Sequence, residues 1–253
     1  MSPAIFVSHG APSLVLEDGP TQQFFRKYGA EMERPSAIVS ISAHWNTPRV
    51  TVSLAEAPKM IYDFSGFPAA LYQVQYPAPG APALGQRILE SLGAAGIAAS
   101  GDVARGFDHG VWSPLVLMFP EASIPVVSVS VQPGMPARHH FEVGRALRKF
   151  REENVLIIGS GSATHNLAEL GRRPLPPHAE QFEEWLCEAI VEGREAELLA
   201  WEERAPQAHR NHPTPEHFLP LFGPLGAAGD PKGRIVHRRF EFGSLSMAAF
   251  AWE

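Results

Sequence analysis

Residues 37–45 read AIVSISAHW, an apolar and β-branched run that ends on a histidine and a tryptophan. Such a run, broken only by small serines, predicts a buried strand over Ala37–Ser42. His44 then lies just beyond the carboxyl end of that strand. In open α/β sheets ligands bind outside the carboxyl ends of the strands, so this stretch predicts both a fold class and the position of a site.

Two further strands end in the same way. His9 directly follows the apolar run Ala4–Ser8, and His165 follows Val155–Ile158 and a Gly-Ser loop. If the three strands are parallel, their imidazoles converge at one edge of the sheet. Each histidine alone is more often a loop or core residue. Because neutral imidazole is the commonest metal-ligand side chain, the three together favour a metal site.

Strands and helices alternate along the rest of the chain. Helices of ten or more residues between strands imply βαβ crossovers, so we expect a single α/β domain over residues 1–253. Its central sheet is expected to be mostly parallel or mixed, with helices on its flanks. The further predicted strands are Val50–Ala55, Ile124–Val131, Arg234–Phe242 and Ser246–Trp252, and the predicted helices are Thr21–Met32, Ala83–Ala95, His140–Glu153 and Ala179–Glu203.

Two loop motifs add candidate histidines outside these strands. Residues 106–113, GFDHGVWS, place His109 in a loop between two glycines. Residues 211–220, NHPTPEHFLP, contain two more histidines. A short helix capped by Thr214 would place His217 in its first turn, where the helix N-terminus favours a neutral, ligating imidazole. A structural role remains open for either histidine taken alone.

Composition excludes several classes of protein. The net charge of −6 over 253 residues, without a basic run, makes general nucleic-acid binding a poor expectation. Cys187 is the single cysteine, so an internal disulfide and a zinc–thiolate cluster are excluded. No apolar stretch of about 18 residues and no secretory signal are present, so we expect a cytoplasmic protein without a membrane span.

The sequence does not match several other catalytic motifs. The run Gly159–Ser162, GSGS, lacks the third glycine of a dinucleotide-binding fingerprint and does not match the G-x-S-x-G nucleophile elbow. No phosphate-binding loop with G-K-[ST] occurs. The adjacent glutamates of the long acidic helix belong to a solvated face, so paired glycosidase carboxylates are not indicated.

The ordered set of motifs resembles the DODA-type extradiol aromatic-ring-opening dioxygenases. These are the 4,5-DOPA dioxygenase proteins of the class III superfamily, which also includes protocatechuate 4,5-dioxygenase. The likeness extends from about His9 to Met247. The motifs that carry it are SHGAPS, SAHW, DFSGFP, YPAPG, GFDHGVWS, THN, HPTPEHFLPL and FGSLSM.

The resemblance implies roles for five histidines. His9 of SHG and His44 of SAHW match the two metal histidines of the family, and His217 of TPEH matches the third ligand of the DOPA-dioxygenase branch. His165 of THN matches a histidine close to the metal, usually the catalytic base and sometimes a ligand. His109 of DHG matches a histidine that binds substrate or passes protons.

The third ligand departs from the wider superfamily. Protocatechuate-type enzymes use two histidines and a glutamate, whereas this chain has His217 with Glu216 beside it. The resemblance implies Fe²⁺, but three histidines suit Zn²⁺ as well, so zinc is an alternative in the isolated protein. Because Zn²⁺ does not change its oxidation state, a zinc form would not support O₂ chemistry.

Aromatic and proline-rich loops are the expected walls of the substrate pocket. They cover Tyr62–Pro68 and Tyr72–Pro79. Tyr62, Trp45 and Phe107 are the candidate substrate-binding residues, with plain core packing as the alternative for Trp45 and Phe107. Pockets of this kind are largely apolar with few polar groups.

The resemblance therefore implies a non-haem metal-dependent dioxygenase that opens a DOPA-like catechol with O₂ and gives a semialdehyde. Its expected partners are the small-molecule catechol and O₂, with neither nucleic acid nor membrane. Two alternatives stay open: a zinc-dependent non-oxidative enzyme such as a hydrolase, and a non-catalytic metal-binding interaction protein of the same fold. The sequence does not select the catechol, the ring bond that is cleaved, or the oligomeric state.

Overall fold

The computed structural model describes residues 1–253. It contains ten strands and nine α-helices. The strands are β1 Ala4–Ser8, β2 Ala37–Asn46, β3 Val50–Ser53, β4 Ala99–Asp102, β5 Val126–Val131, β6 Val155–Gly161, β7 Arg234–His237, β8 Phe240–Glu241, β9 Leu245–Ser246 and β10 Ala249–Trp252. The helices are α1 Pro20–Glu31, α2 Pro82–Ala94, α3 His109–Met118, α4 Ala137–Leu147, α5 Pro177–Glu192, α6 Glu195–Leu199, α7 Trp201–Arg204, α8 Ala208–Asn211 and α9 Phe222–Ala227.

Eight strands form one mixed sheet in the order β4-β3-β5-β2-β6-β1-β10-β7. The four central strands, β5, β2, β6 and β1, are parallel to their neighbours within this group. Strand β3 pairs antiparallel with β5, and β10 pairs antiparallel with β1 and β7. The predicted α/β class with a mostly parallel or mixed sheet is confirmed. Strands β1, β2 and β6 are adjacent, so their carboxyl ends meet at one edge.

The strands predicted over Arg234–Phe242 and Ser246–Trp252 are each broken in two, and the inner pieces, β8 and β9, form a separate two-stranded sheet. The central strand predictions differ from the structure at their ends. Strand β2 continues to Asn46, so His44 lies within the strand and not beyond it. Strand β6 continues through Gly161, because this segment pairs with both β1 and β2. Strand β4, Ala99–Asp102, was not predicted, since ASGD has no β-branched residue and lies at the sheet edge.

Two helix predictions were wrong. The long helix predicted over Ala179–Glu203 ends at Glu192, because Gly193 takes a left-handed conformation with φ of 71° and closes the helix. The short helix predicted from Pro215 is reduced to one turn, in which the N–H groups of Phe218 and Leu219 donate to the carbonyl of Pro215. Thr214 does not cap this turn, because its Oγ1 donates to Glu216 Oε1, and a 3-10 helix over Leu219–Leu221 leads into α9.

Two apolar layers cover the two faces of the sheet. Successive residues of a strand point to opposite faces, so Ile38 of β2 enters one layer and Val39 the other. Helices α1 and α3 pack on the Ile38 side, and α4, α5 and α9 on the Val39 side. The burial of both faces explains why the central strands read as continuous apolar runs.

Arg151 ties the two ends of the chain to the sheet. Its guanidinium is fully buried and donates to three backbone carbonyls, those of Ser2, Ala227 and Trp252. A buried charge of this kind is tolerated because its donors are satisfied. The contacts hold the strands β1 and β10 and the end of helix α9 together at the edge opposite the histidines.

We expect Arg151→Met to lower the free energy of unfolding by about 3 kcal/mol or more, since the three carbonyls lose a charged donor. Urea denaturation followed by circular dichroism measures this loss. Arg145→Met is the matched control, because Arg145 is exposed and pairs only with Glu142 on the same helix. Equal stability of the two variants would contradict the anchoring role.

Candidate metal centre

Three imidazoles meet at the carboxyl edge of the central strands. Nε2 of His44 lies 3.0 Å from Nε2 of His9 and 3.2 Å from Nε2 of His217. His9 and His217 are buried, and the side chain of His44 is 20% exposed. Two of these residues come directly from β1 and β2. The structure thus brings together three of the four histidines that the resemblance implies as metal ligands, and the fourth, His165, lies beside them.

His217 reaches this edge because its loop lies directly on strand β6. A Cβ atom on Gly159 would collide with the backbone carbonyl of Pro220, and one on Gly161 would collide with that of His217. The backbone N–H of Ser162 donates to the His217 carbonyl at 2.8 Å. The glycines of the Gly-Ser run therefore serve close backbone approach, which is a common reason for glycine inside a strand.

The second ring nitrogens of His9 and His217 each face an acceptor. Nδ1 of His9 lies 3.0 Å from Ser160 Oγ. Because the Ser160 hydroxyl donates to the carbonyl of Gly110, it accepts from His9. Nδ1 of His217 lies 2.9 Å from the carboxylate oxygen Oε1 of Glu216. Both rings therefore carry their proton on Nδ1 and present an Nε2 lone pair.

The second ring nitrogen of His44 also faces an acceptor. Its Nδ1 lies 3.2 Å from Oδ2 of Asp63, whose side chain is 21% exposed. Burial would raise the pKa of Asp63, but hydrogen bonding from His109 and the nearby imidazoles lower it to about 2. Asp63 is thus a carboxylate, and its negative charge favours a proton on the His44 nitrogen beside it. Outer partners of this kind fix the ring orientation of metal-bound histidines.

Burial keeps the three rings neutral. It lowers the pKa of His44 to about 3, with the neighbouring His109 adding to the shift and Asp63 opposing it. Burial, followed by the other imidazoles, also holds the pKa of His9 and of His217 well below the usual histidine value. Neutral imidazoles are the form that binds a metal ion.

The donor set fits one divalent cation. Two nitrogens that are each about 2.1 Å from a shared ion and at a right angle to one another are about 3.0 Å apart. The separations from His44 to His9 and His217 are close to this value. Without a cation, three lone pairs would face one another in a poorly solvated space. His9, His44 and His217 are therefore the residues that fit a bound metal.

His165 lies beside this triad, stacked on His217. The two ring centroids are 3.5 Å apart and the planes differ by 10°. An imidazole binds a metal in the plane of its own ring, so an ion bound by His217 lies away from the plane of His165. Burial lowers the pKa of His165 to about 4, although the charge of Glu216 opposes the shift. His165 is neutral and next to the ion position.

His109 lies on the other side of His44. Their ring centroids are 3.8 Å apart, and Nδ1 of His109 is 3.0 Å from Oδ2 of Asp63. A nitrogen of His109 lies within 4.8 Å of those of His9 and His44, so it is a second candidate for the third ligand. The 3.2 Å between Nε2 of His44 and Nε2 of His217, together with the Asp63 carboxylate beside Nδ1 of His109, favours His217 for that place.

The three predicted substrate residues are placed differently. Tyr62 is half-buried in an aromatic cluster defined by Tyr62, Phe64, Tyr72 and Trp112. Phe64 of this cluster lies 5.8 Å from the His109 ring. In contrast, Trp45 is buried beneath the Arg105 guanidinium, and Phe107 is fully buried in the apolar layer. The structure places Tyr62 next to Phe64, the residue of this cluster that contacts His109, and it places Trp45 and Phe107 in the packed interior.

Two residues that support the site were not predicted from the sequence. Asp63 and Ser160 hold the Nδ1 atoms of His44 and His9. One signal for Asp63 was present, because it is the single charged residue in an otherwise aromatic and small loop, YDFSGFP. Ser160 gave no such signal, since the GSGS run is equally typical of a flexible turn.

His212 is a structural histidine. It is fully buried in an aromatic box of Phe182, Trp201 and Phe218. Its Nε2–H group donates to the carbonyl of Ala163 at 3.0 Å. Burial lowers the pKa of His212 to about 3. This residue therefore supports the loop that leads to the site without facing the ion position.

Comparison with known proteins agrees with this geometry. Residues 3–251 match the family described as the catalytic LigB subunit of aromatic ring-opening dioxygenase. The chain belongs to the LigB family. It is accordingly an oxidoreductase of the extradiol dioxygenase type, as the sequence resemblance predicted.

LigB-family relatives resemble the chain over nearly its full length. The 4,5-DOPA dioxygenase extradiol of Beta vulgaris is 41% identical over 254 residues, covering 97% of this chain and 94% of that protein. The protein of the same name from Escherichia coli K12 is 40% identical, covering 97% and 92%. The crystal structure of an uncharacterized Escherichia coli K12 protein superposes with a TM-score of 0.85 at 36% identity, covering both chains completely. None of the helices combines the length and apolar character needed to cross a membrane.

The ligand assignment predicts a pattern of metal loss. His9→Ala, His44→Ala and His217→Ala should each lose stoichiometric metal, because each removes a converging nitrogen. His165→Ala and His109→Ala should retain it. Metal content after reconstitution and desalting, measured by mass spectrometry, tests the pattern. Retention by His217→Ala together with loss by His109→Ala would contradict the assignment.

The buried His212 predicts a pH-dependent stability of the metal-free protein. The unfolded chain protonates this histidine near pH 6.5 and the folded chain only near pH 3, so the unfolded state binds the proton first on acidification. From pH 7 to pH 5 the free energy of unfolding should fall by about 2 kcal/mol through this group alone.

Urea denaturation at the two pH values measures this change. In His212→Phe the difference between pH 7 and pH 5 should be smaller by the same amount. Comparing the difference within each protein removes the pH-independent effect of the substitution. An unaltered pH dependence in His212→Phe would show that His212 is not the responsible group.

Proposed function

We propose that the chain is an Fe²⁺-dependent extradiol dioxygenase that uses O₂ to open a catechol ring beside its two hydroxyl groups, giving a semialdehyde. One observation carries the proposal. The Nε2 atoms of His9, His44 and His217 converge, while His165 and His109 stand beside them and are left free for proton transfer. A structural zinc site has no use for two such additional histidines.

The nitrogen separations of 3.0 and 3.2 Å suit Fe²⁺ and Zn²⁺ equally, so iron is proposed on chemical grounds. Zn²⁺ has no redox chemistry, whereas ring opening by O₂ needs a metal that can change its oxidation state. Three histidine ligands would leave room at the metal for the substrate and O₂, as in facial-triad iron enzymes.

When bound, Fe²⁺ supplies a Lewis acid that holds and polarises the catechol oxygens and a redox centre for O₂. The chain supplies the proton transfers. His165 is neutral because burial lowers its pKa to about 4, so an imidazole nitrogen accepts the proton of a catechol hydroxyl. The stacked His217 ring holds His165 in a fixed plane beside the ligand.

His109 serves the opposite side of the site. Its Nδ1 faces Asp63, so its Nε2 is the atom available to a bound substrate. We assign it to holding a catechol oxygen and to returning a proton during ring opening. His109 packs on the ring of His44 and His165 on that of His217, which supports separate places for proton delivery and proton removal.

The aromatic cluster provides the substrate wall. Tyr62 donates its hydroxyl to the carbonyl of Val74, which fixes the two aromatic loops to one another. Phe64, which contacts His109, presents an apolar surface of the kind that an aromatic ring packs against. The 4,5-DOPA dioxygenase extradiol relatives support a DOPA-like catechol as the substrate class.

The two alternative functions, a zinc hydrolase and a non-catalytic metal-binding protein, require fewer residues at the site. A zinc-dependent hydrolase needs only a metal-bound water, and its activity would survive without oxygen. A non-catalytic metal-binding protein needs neither the stacked His165 nor the Nε2 atom of His109 that is available to a substrate. The presence of both residues beside the triad supports the dioxygenase over each rival.

Anaerobically purified protein loaded with Fe²⁺ should consume O₂ and form a yellow ring-opened product with at least one catechol, DOPA first. An oxygen electrode and visible absorption record both changes. His165→Ala should keep its iron and lose about 100-fold or more of the turnover, because the base is removed.

His209→Ala is the matched control, since this histidine is exposed and outside the site. It should retain full turnover. Absence of oxygen uptake over a panel of catechols would overturn the proposed function. Full turnover by His165→Ala would remove the proposed base.

A further inference from the structure

One carboxylate touches both a metal ligand and a proton-transfer residue. Oδ2 of Asp63 lies 3.2 Å from Nδ1 of His44 and 3.0 Å from Nδ1 of His109. The other oxygen, Oδ1, accepts the backbone N–H of His109 at 3.0 Å. Asp63 therefore contacts the first residue of helix α3 and the last part of strand β2 at the same time.

The loop that carries Asp63 is held in place without it. Backbone hydrogen bonds join Ile61 N–H to the carbonyl of Phe107 and Phe107 N–H to the carbonyl of Lys59, both at 2.8 Å. Trp112 Nε1–H donates to the Ile61 carbonyl as well. The N-terminus of α3 has its own cap in Asp108, which accepts from Val111 N–H. The carboxylate of Asp63 is thus free for a function beyond anchoring the loop.

We propose that Asp63 is a positioning residue that sets the tautomer and orientation of His44 and His109 together. The negative charge of an acceptor-only oxygen 3.2 Å and 3.0 Å from the two Nδ1 atoms favours a proton on each. The Nε2 atom of His44 is then a lone-pair donor toward the metal, and the Nε2 atom of His109 faces the substrate side. One carboxylate thereby couples metal binding to the placement of the proton-transfer histidine. The catalytic half of this inference rests on the proposed function, whereas the metal-binding half does not.

Asp63→Asn tests this coupling with little change in shape. The asparagine carbonyl can keep the bond to the His109 backbone N–H, which directs its NH₂ group at the two Nδ1 atoms. A donor then replaces the shared acceptor. His44 cannot shift its proton from Nδ1 to Nε2, because its Nε2 lone pair is needed for the metal. His109 binds no metal, so its proton is free to move from Nδ1 to Nε2.

The first readout is metal affinity. We expect Asp63→Asn to bind Zn²⁺, used as a redox-inert probe, about 10-fold to 100-fold more weakly in a competition titration with a fluorescent chelator. Asp102→Asn is the matched control, since Asp102 also accepts backbone N–H groups from its loop but contacts no histidine. Equal affinity of Asp63→Asn and the control for Zn²⁺ would overturn the metal-binding half.

The second readout is the tautomer of His109. In Zn²⁺-loaded protein with ¹⁵N-labelled histidine, NMR should report the Nδ1–H tautomer for His109 in the unmodified chain and the Nε2–H tautomer in Asp63→Asn. The His109→Phe variant assigns the signal by its loss. A His109 tautomer that is the same in both proteins would overturn the positioning of this ring.

The third readout is turnover at saturating Fe²⁺. Asp63→Asn should lower kcat, and it should do so by a smaller factor when His109 is already replaced by Phe. Independent, multiplying losses in the double variant would contradict the coupling. If the unmodified enzyme shows no oxygen uptake, the proposed function fails, while the Zn²⁺ affinity and the tautomer still decide the inference.

Discussion

Three neutral imidazoles that point their lone pairs at one another form the constraint on which the rest of the structure depends. His9, His44 and His217 are held with adjacent Nε2 atoms at 3.0 and 3.2 Å. Such an arrangement is unfavourable without a cation and favourable with one, because a divalent ion replaces mutual repulsion with three bonds. The surrounding residues are arranged so that these lone pairs have no alternative partner.

Each part of the surroundings serves this arrangement. Acceptors on Ser160, Asp63 and Glu216 hold the Nδ1 protons, so the Nε2 atoms are left unprotonated. Burial keeps the rings neutral, as the low pKa values of these histidines indicate. The glycines of β6 admit the backbone of the His217 loop, which no larger residue would allow. The parallel central strands supply the common edge.

The stacking of His165 on His217 separates two roles that sequence alone leaves merged. A histidine next to a metal is either a ligand or a base, and spacing along the chain does not distinguish the two. The parallel rings, 3.5 Å apart, place His165 out of the plane of an ion bound by His217. The same contact supports the proposed role of His165 as a base rather than a ligand.

The central fold could be predicted because strands buried on both faces are continuous apolar runs, as in Ala4–Ser8 and Val155–Ile158. His9 and His165, which follow these strands, could be placed at the carboxyl edge of the sheet for the same reason. The short strand Ala99–Asp102 could not be predicted, since it is defined by pairing with β3 and not by its side chains. Asp63 was missed because its contacts depend on how a loop folds back over the sheet.

The position of a bound ion tests the central claim most directly. A crystal structure of the Fe²⁺-loaded protein, with anomalous scattering at the iron edge, locates the metal without reference to activity. We expect a single ion bonded to Nε2 of His9, His44 and His217 at about 2.1 Å, with His165 not bonded. An ion bonded through His165 or His109 in place of His217, or bound away from this edge, would contradict it.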